Sequence, residues 1–192
     1  MNNTLIDAVL IDDLNNVRFL LENGAEPNIP NKYGKLPLHE AVRQGYKDTV
    51  RLLLRYGADP DMLDNDGNTS LWHVGDRVDI LRLLIANGAN LEFQNMKKET
   101  ILHQAVLDNN EAVVRVLLYA GMDPNIQDIN GDTPLHDTVV NMSPHPKIIN
   151  LLLKHDADPT IRNKEGDTPS DIARSYDSYL YNFGQLLDDA PL

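Results

Sequence analysis

The stretch AGMDPNIQDINGDTPLH, residues 120–136, carries two signals, and each returns along the chain at the same interval. Its first half, AGMDPNI (120–126), has counterparts in NGAEPNI (23–29), YGADPDM (56–62), NGANLEF (87–93) and HDADPTI (155–161). Gly24, Gly57, Gly88, Gly121 and, in the fifth slot, Asp156 stand 33, 31, 33 and 35 residues apart. Its second half, TPLH (133–136), is echoed by LPLH (36–39), TSLW (69–72), TILH (100–103) and TPSD (168–171), at those same intervals. Two markers in one rhythm make this a repeat protein, built from stacked supersecondary units.

Each unit reads alike in physical terms. Tyr33-Gly34, Asp66-Gly67 and Asn130-Gly131 are turn signals with a residue that tolerates positive φ. The Thr-Pro pair then opens a helix, with threonine as N-cap and proline suited to the first helical position. A short helix such as LHEAVRQG (38–45) is followed by a longer one such as KDTVRLLLRYG (47–57), with Val50, Leu53 and Leu54 on one face. The following glycine is a helix-stop signal. A single unit cannot bury its apolar face, so neighbours must stack.

On these residues the chain resembles the ankyrin-repeat family, whose signature is a period near 33 with T-P-L-H-x-A. The match runs through Leu36-Pro37-Leu38-His39-Glu40-Ala41, Thr100-Ile101-Leu102-His103-Gln104-Ala105 and Thr133-Pro134-Leu135-His136. The expected fold is an all-α ankyrin solenoid with hairpin-like loops, about six repeats including caps, forming a single domain over residues 1–192. Full repeats are expected at 30–62, 63–93, 94–126 and 127–161, between caps at 3–29 and 162–187. The first cap lacks a TPLH, and the last carries Ser170-Asp171 where leucine and histidine would stand.

Composition narrows the function. Seventeen basic against 29 acidic residues give a net charge of −12, which disfavours nucleic acid and anionic lipid and favours a basic protein partner. With no cysteine there is no disulfide and no thiolate zinc site or nucleophile. The N-terminus lacks the basic start of a secretory signal and no apolar run reaches 18 residues, so the expected location is cytoplasmic, away from membranes.

His39, His103 and His136 share one slot in successive units, roughly 10 Å apart at helix-packing distance, too far to share a metal ion. The resemblance implies that threonine and histidine of TPLH bond to each other and to neighbouring backbone. DNDGNTSLW (64–72) and DINGDTPLH (128–136) fail as calcium loops, because Met62 and Ile126 fill the first ligand slot. No phosphate loop or nucleophile elbow is present, so no catalytic residue, metal ligand or cofactor is expected.

The resemblance implies binding of another protein through hairpin tips and the concave side of the first helices. The tip positions are Lys32 and Tyr33, Asn65 and Asp66, Met96 and Lys97, and Ile129 and Asn130. The first-helix positions are Arg43 and Gln44, Leu107 and Asp108, and Val140 and Asn141. Apolar residues among these (Tyr33, Met96, Leu107, Ile129, Val140) point to an interface core, and the free chain is expected to be a monomer. Three departures stand out. Trp72 takes a histidine slot in a unit two residues short, so its first helix should be clipped or the turn tightened, with the ring either packed in the core or partly exposed. VVNMSPHPKII (139–149) carries an insertion expected to loop out around Ser143–Pro146. Lys98 holds a turn-glycine slot, so that tip should differ. The functions implied are an inhibitor, an immunity-type protein or an effector, with an adaptor bridging two proteins as the rival reading and an unrecognised enzyme as a remote one.

Overall fold

The computed structural model describes residues 4–140 and 145–175, all helix and turn with no strand among them. They fall into two compact units, divided between Asn90 and Leu91.

In the first unit the helices are α1 (Leu5–Leu10), α2 (Leu14–Glu22), α3 (Pro37–Gln44), α4 (Lys47–Arg55) and α5 (Val78–Ala86), with a 3-10 turn at Ser70–His73. Each antiparallel pair packs internally, α1 on α2 and α3 on α4. Between pairs, α1, α3 and the 3-10 turn form one layer, and α2, α4 and α5 the other. The amphipathic pattern of α4 explains its place: Val50, Leu53 and Leu54 face inward while Arg51 and Arg55 are exposed. Asn28 ties consecutive repeats, donating to the Gly57 carbonyl at 2.9 Å and accepting from the Asp59 amide at 2.8 Å.

In the second unit α6 (Ile101–Leu107) pairs with α7 (Glu111–Tyr119) and α8 (Pro134–Val140) with α9 (Pro146–Lys154); α10 (Pro169–Ser175) packs on α8. Asn125 repeats the link of Asn28, bonding the Asp156 carbonyl at 2.9 Å and the Asp158 amide at 2.7 Å. Leu102, Val114, Leu117, Leu135, Ile149 and Leu152 fill its core. No described helix is long and apolar enough to cross a membrane.

Of the two expectations for the short repeat, the clipped helix is the one found: four residues of 3-10 turn stand where α3 has eight. Of the expected loop at 143–146, Ser143 and Pro144 lie outside the described residues, while Pro146 starts α9 in the first-turn position that suits its missing N–H. Asn141, the Val140 side chain and the tyrosines at 176, 179 and 181 are likewise outside what is described.

Candidate functional site

Five tip turns are built on one device. An Asn or Asp side chain accepts two backbone N–H bonds, from the residues two and four positions on: Asn31 from Tyr33 and Lys35, Asp64 from Asp66 and Asn68, and Asn95 from Lys97 and Glu99, all at 2.8–3.1 Å. Asp128 and Asn163 do the same at 2.7–3.0 Å. Such side-chain turns fix the loop without strand pairing. The anchors are 33, 31, 33 and 35 residues apart, so this signal was readable and escaped the sequence reading, which took only the glycine.

The Lys98 tip is not different, contrary to expectation. Lys98 adopts φ 59°, the left-handed region that Gly34, Gly67 and Gly131 occupy in the other turns. The Asn95 bonds hold the turn whatever its fourth residue, so the cost of a side chain there is tolerated. Glycine is required at 131 for a second reason: a Cβ there would stand 2.9 Å from the Lys164 amide nitrogen.

These turns push the residues after each anchor outward. In the first unit Lys32, Tyr33, Asn65 and Asp66 are exposed, and the Lys32 ammonium sits 4.9 Å over the Tyr33 ring. Ile29, Pro30 and Tyr33 line a groove of about 510 Å³ with Leu5, Ile6 and Ala25 and with the polar Thr4, Asp7, Glu26, Asn31 and Lys32. In the second unit Met96, Lys97, Ile129 and Asn130 are exposed, and the Ile129 amide donates to the Lys97 carbonyl at 2.7 Å, stacking one tip on the next. On the first helices Arg43, Gln44 and Asp108 lie toward solvent, and Leu107 is half-buried. Trp72 is half-buried too, partly exposed rather than sealed in the core.

The histidines of the signature are structural where threonine accompanies them. His103 Nδ1 lies 2.8 Å from Thr100 Oγ1 and 3.1 Å from the Thr100 amide, and Nε2 meets the Asp132 carbonyl at 3.2 Å. His136 repeats this with Thr133 and the Asp167 carbonyl. Burial pushes the pKa of both rings down, so they stay neutral. The caps use aspartate in the histidine slot. Asp171 bonds Thr168 at 2.9 Å, and Asp7 bonds Thr4 at 2.6 Å, so TLID (4–7) is the degenerate TPLH of the first cap, overlooked because only its threonine survives.

Two mismatches leave buried atoms without partners. In the first full repeat Leu36 replaces threonine, and His39 Nδ1 is orphaned; in the second Trp72 replaces histidine, and Thr69 Oγ1 is orphaned. Around His39 lies a polar cluster that the sequence reading did not assemble. His73 Nε2 is 2.7 Å from Asp64 Oδ2, Arg43 is within 3.8 Å of the same oxygen, and buried Glu40 pairs with Lys35 and Arg43. Burial works against the Asp64 carboxylate, but the Asn68 amide, the His73 ring and the Asp66 amide outweigh it and hold its pKa below the usual range. His39 is pushed down chiefly by burial.

In the second unit the slot equivalent to Glu40 holds Asp137. Burial raises its pKa to about 8, aided by Asp128, Asp132 and Glu99, and its Oδ2 has no partner.

A family model described as ankyrin repeats matches residues 5–95 and 73–163. A transient receptor potential channel of Drosophila melanogaster, pyrexia, is 33% identical over 139 residues, 70% of this chain and 14% of its own. A putative ankyrin repeat protein of Rickettsia felis is 31% identical over 131 residues, 66% of this chain and 43% of its own. The chain thus spans less than half of these relatives. Among solved structures, an ankyrin repeat domain from Acinetobacter baumannii AYE superposes with a TM-score of 0.87 at 26% identity, covering 96% of this chain and 97% of that one. A second ankyrin repeat protein reaches 0.89 at 22% identity over 100% and 99% of the two chains, a likeness of fold. The fold is therefore an all-α ankyrin solenoid, and the chain belongs to the ankyrin-repeat family, whose repeats are protein–protein interaction modules.

Proposed function

We propose that this chain is a non-catalytic, cytoplasmic binding module that occupies one protein partner, acting as an inhibitor, an immunity-type protein or an effector, and that it is monomeric when free. The reading is carried by Tyr33, Met96 and Ile129, which are 66%, 85% and 44% exposed on tips whose backbone is already bonded in place. Large apolar side chains on preordered loops lose little entropy on docking, which is how a rigid surface gains affinity. Lys32, Arg43, Gln44, Asn65, Asp66, Lys97, Asp108 and Asn130 supply a polar rim, with Leu107 and Trp72 contributing apolar area. Val140 and Asn141 belong to the same proposed set by sequence position. The net charge of −12 favours a basic partner by accelerating encounter.

A photo-reactive residue placed at 33 or 96 tests this in lysate of the native source. Both positions should cross-link one protein, and the same probe at Arg55 or Arg115, on α4 and α7, should not. Cross-linking from Arg55 and Arg115 alone would refute the reading. The adaptor alternative draws on a difference in lining: the groove by Tyr33 is mixed, with Leu5, Ile6, Ile29 and Pro30 beside polar residues, whereas the one in the second unit is lined mostly by polar and charged residues such as Asn130, Asp132, Lys164 and Glu165. Different cross-linked proteins at 33 and 96 would favour it.

A further inference from the structure

We propose that His39, Asp64 and His73 form a binding site for a divalent transition-metal ion of the zinc type, which staples α3 of one repeat to the tip turn and the 3-10 turn of the next. One ring nitrogen from each histidine and one Asp64 oxygen all lie within 4.8 Å of one another. The two rings meet edge to face with centroids 5.6 Å apart. Bonds of about 2.0–2.2 Å place ligand atoms about 3–3.5 Å apart around such an ion, so the widest gap closes by little more than an ångström.

The donor set selects the metal class. Two imidazoles and one carboxylate suit zinc, cobalt or nickel and leave a fourth position for water, whereas calcium and magnesium require oxygen ligands. His39 is the buried member of the set. It is 1% exposed, its Nδ1 has no partner, and its Nε2 meets the Asn68 carbonyl at 3.2 Å. By the geometry of His103 and His136, Nδ1 in this slot faces its own turn and Nε2 faces the next repeat, so Nε2 is the nitrogen offered to the ion and gives up its Asn68 bond on binding. Nδ1 has no partner because Leu36 stands in the slot from which Thr100 and Thr133 bond their histidines. His73 in turn stands in the slot that Glu40, Gln104 and Asp137 hold in the other repeats. Leu36 and His73 therefore depart from the other repeats, and they depart at one junction.

Arg43 is the competitor. Its Nη2 lies 3.3 Å from His73 Nε2 and 3.8 Å from Asp64 Oδ2, so without metal a guanidinium balances the carboxylate. Its Nη1 is already 3.5 Å from Glu40, and its side chain is 43% exposed, so it can withdraw to Glu40 as the metal enters. Removing Arg43 should tighten binding, an effect that an adventitious surface histidine would not show. The site requires nothing of the partner-binding reading.

The test is a titration of metal-free full-length chain with Zn²⁺ against a chromophoric chelator, with Tm recorded in parallel and Co²⁺ absorption as a second readout. The wild type should bind one equivalent and melt higher, while Ca²⁺ and Mg²⁺ leave Tm unchanged. His73→Gln should weaken binding at least about tenfold, as loss of metal-site contacts does. Arg43→Gln should strengthen it, and His155→Gln should leave it unchanged. Glutamine keeps a polar side chain in the place of His73, so His73→Gln should still fold, and a cooperative melt without zinc checks this. Equal binding by wild type and His73→Gln, or weaker binding by Arg43→Gln, would overturn the assignment. Saturation by Ca²⁺ as readily as by Zn²⁺ would also overturn it.

Discussion

Replacing Asp137 by asparagine should stabilise the protein, and the gain should grow with pH. The carboxyl is held largely out of water on α8 and faces Asp128, Asp132 and Glu99, so its pKa rises from 3.8 to about 8. Between those values the folded chain holds a proton that the unfolded chain has released. Stability therefore falls as pH rises, and the loss levels off above about 8. At about 1.4 kcal/mol per pH unit, the stretch from about pH 5 to pH 8 has a ceiling near 4 kcal/mol; partial hydration of the carboxyl reduces this to about 2 kcal/mol. Asparagine has nearly the same shape and never ionises. Urea unfolding of both proteins at intervals from about pH 5 to pH 9 isolates the effect, because every other titrating group is common to both. His39, His103 and His136 act in the opposite sense, their lowered pKa values costing stability on acidification, and they cancel in the difference. The Asp137→Asn variant should exceed the wild type by a margin that widens toward pH 8 and then holds constant. A margin independent of pH, or one that narrows, would refute the reasoning.

Thr69→Val and Thr133→Val are the same substitution in equivalent slots, yet they should differ. Thr69 Oγ1 is buried without a partner, so its loss should be neutral or stabilising, whereas Thr133 Oγ1 bonds His136 at 2.9 Å and its loss should cost about 1–2 kcal/mol by urea unfolding. Association with the partner should slow markedly as salt rises from low to moderate, with most of the change in the on-rate; an on-rate indifferent to salt would remove the case for a basic partner. Tyr33→Ala, Met96→Ala and Ile129→Ala together should leave the melting temperature within a degree or two, since exposed side chains on bonded turns contribute less than about 0.5 kcal/mol each.

The repeat was legible because stacking imposes it at every unit, and the TPLH slots told correctly where helices begin. What escaped was chemistry set by an adjacent repeat. That Asp64 would both anchor a turn and reach His73, while His39 lost its threonine, depends on packing residues 25 and 34 positions apart in sequence. Asp137 looked like an ordinary acidic residue, and only folding shields its carboxyl and brings Asp128, Asp132 and Glu99 near it. Lys98 misled because a glycine slot signals the conformation, while the Asn95 side chain that enforces it stands three residues earlier. Val140 and Asn141 stay at the level of sequence position.

The central claim is that tip residues hold a protein partner. The measurement that tests it most directly is affinity capture from native lysate, read by mass spectrometry, with intact chain beside the Tyr33→Ala, Met96→Ala, Ile129→Ala variant at matched stability. The account predicts one protein enriched by the intact chain and lost from the variant. A partner retained in full by the variant would contradict it and move the binding surface away from the tips.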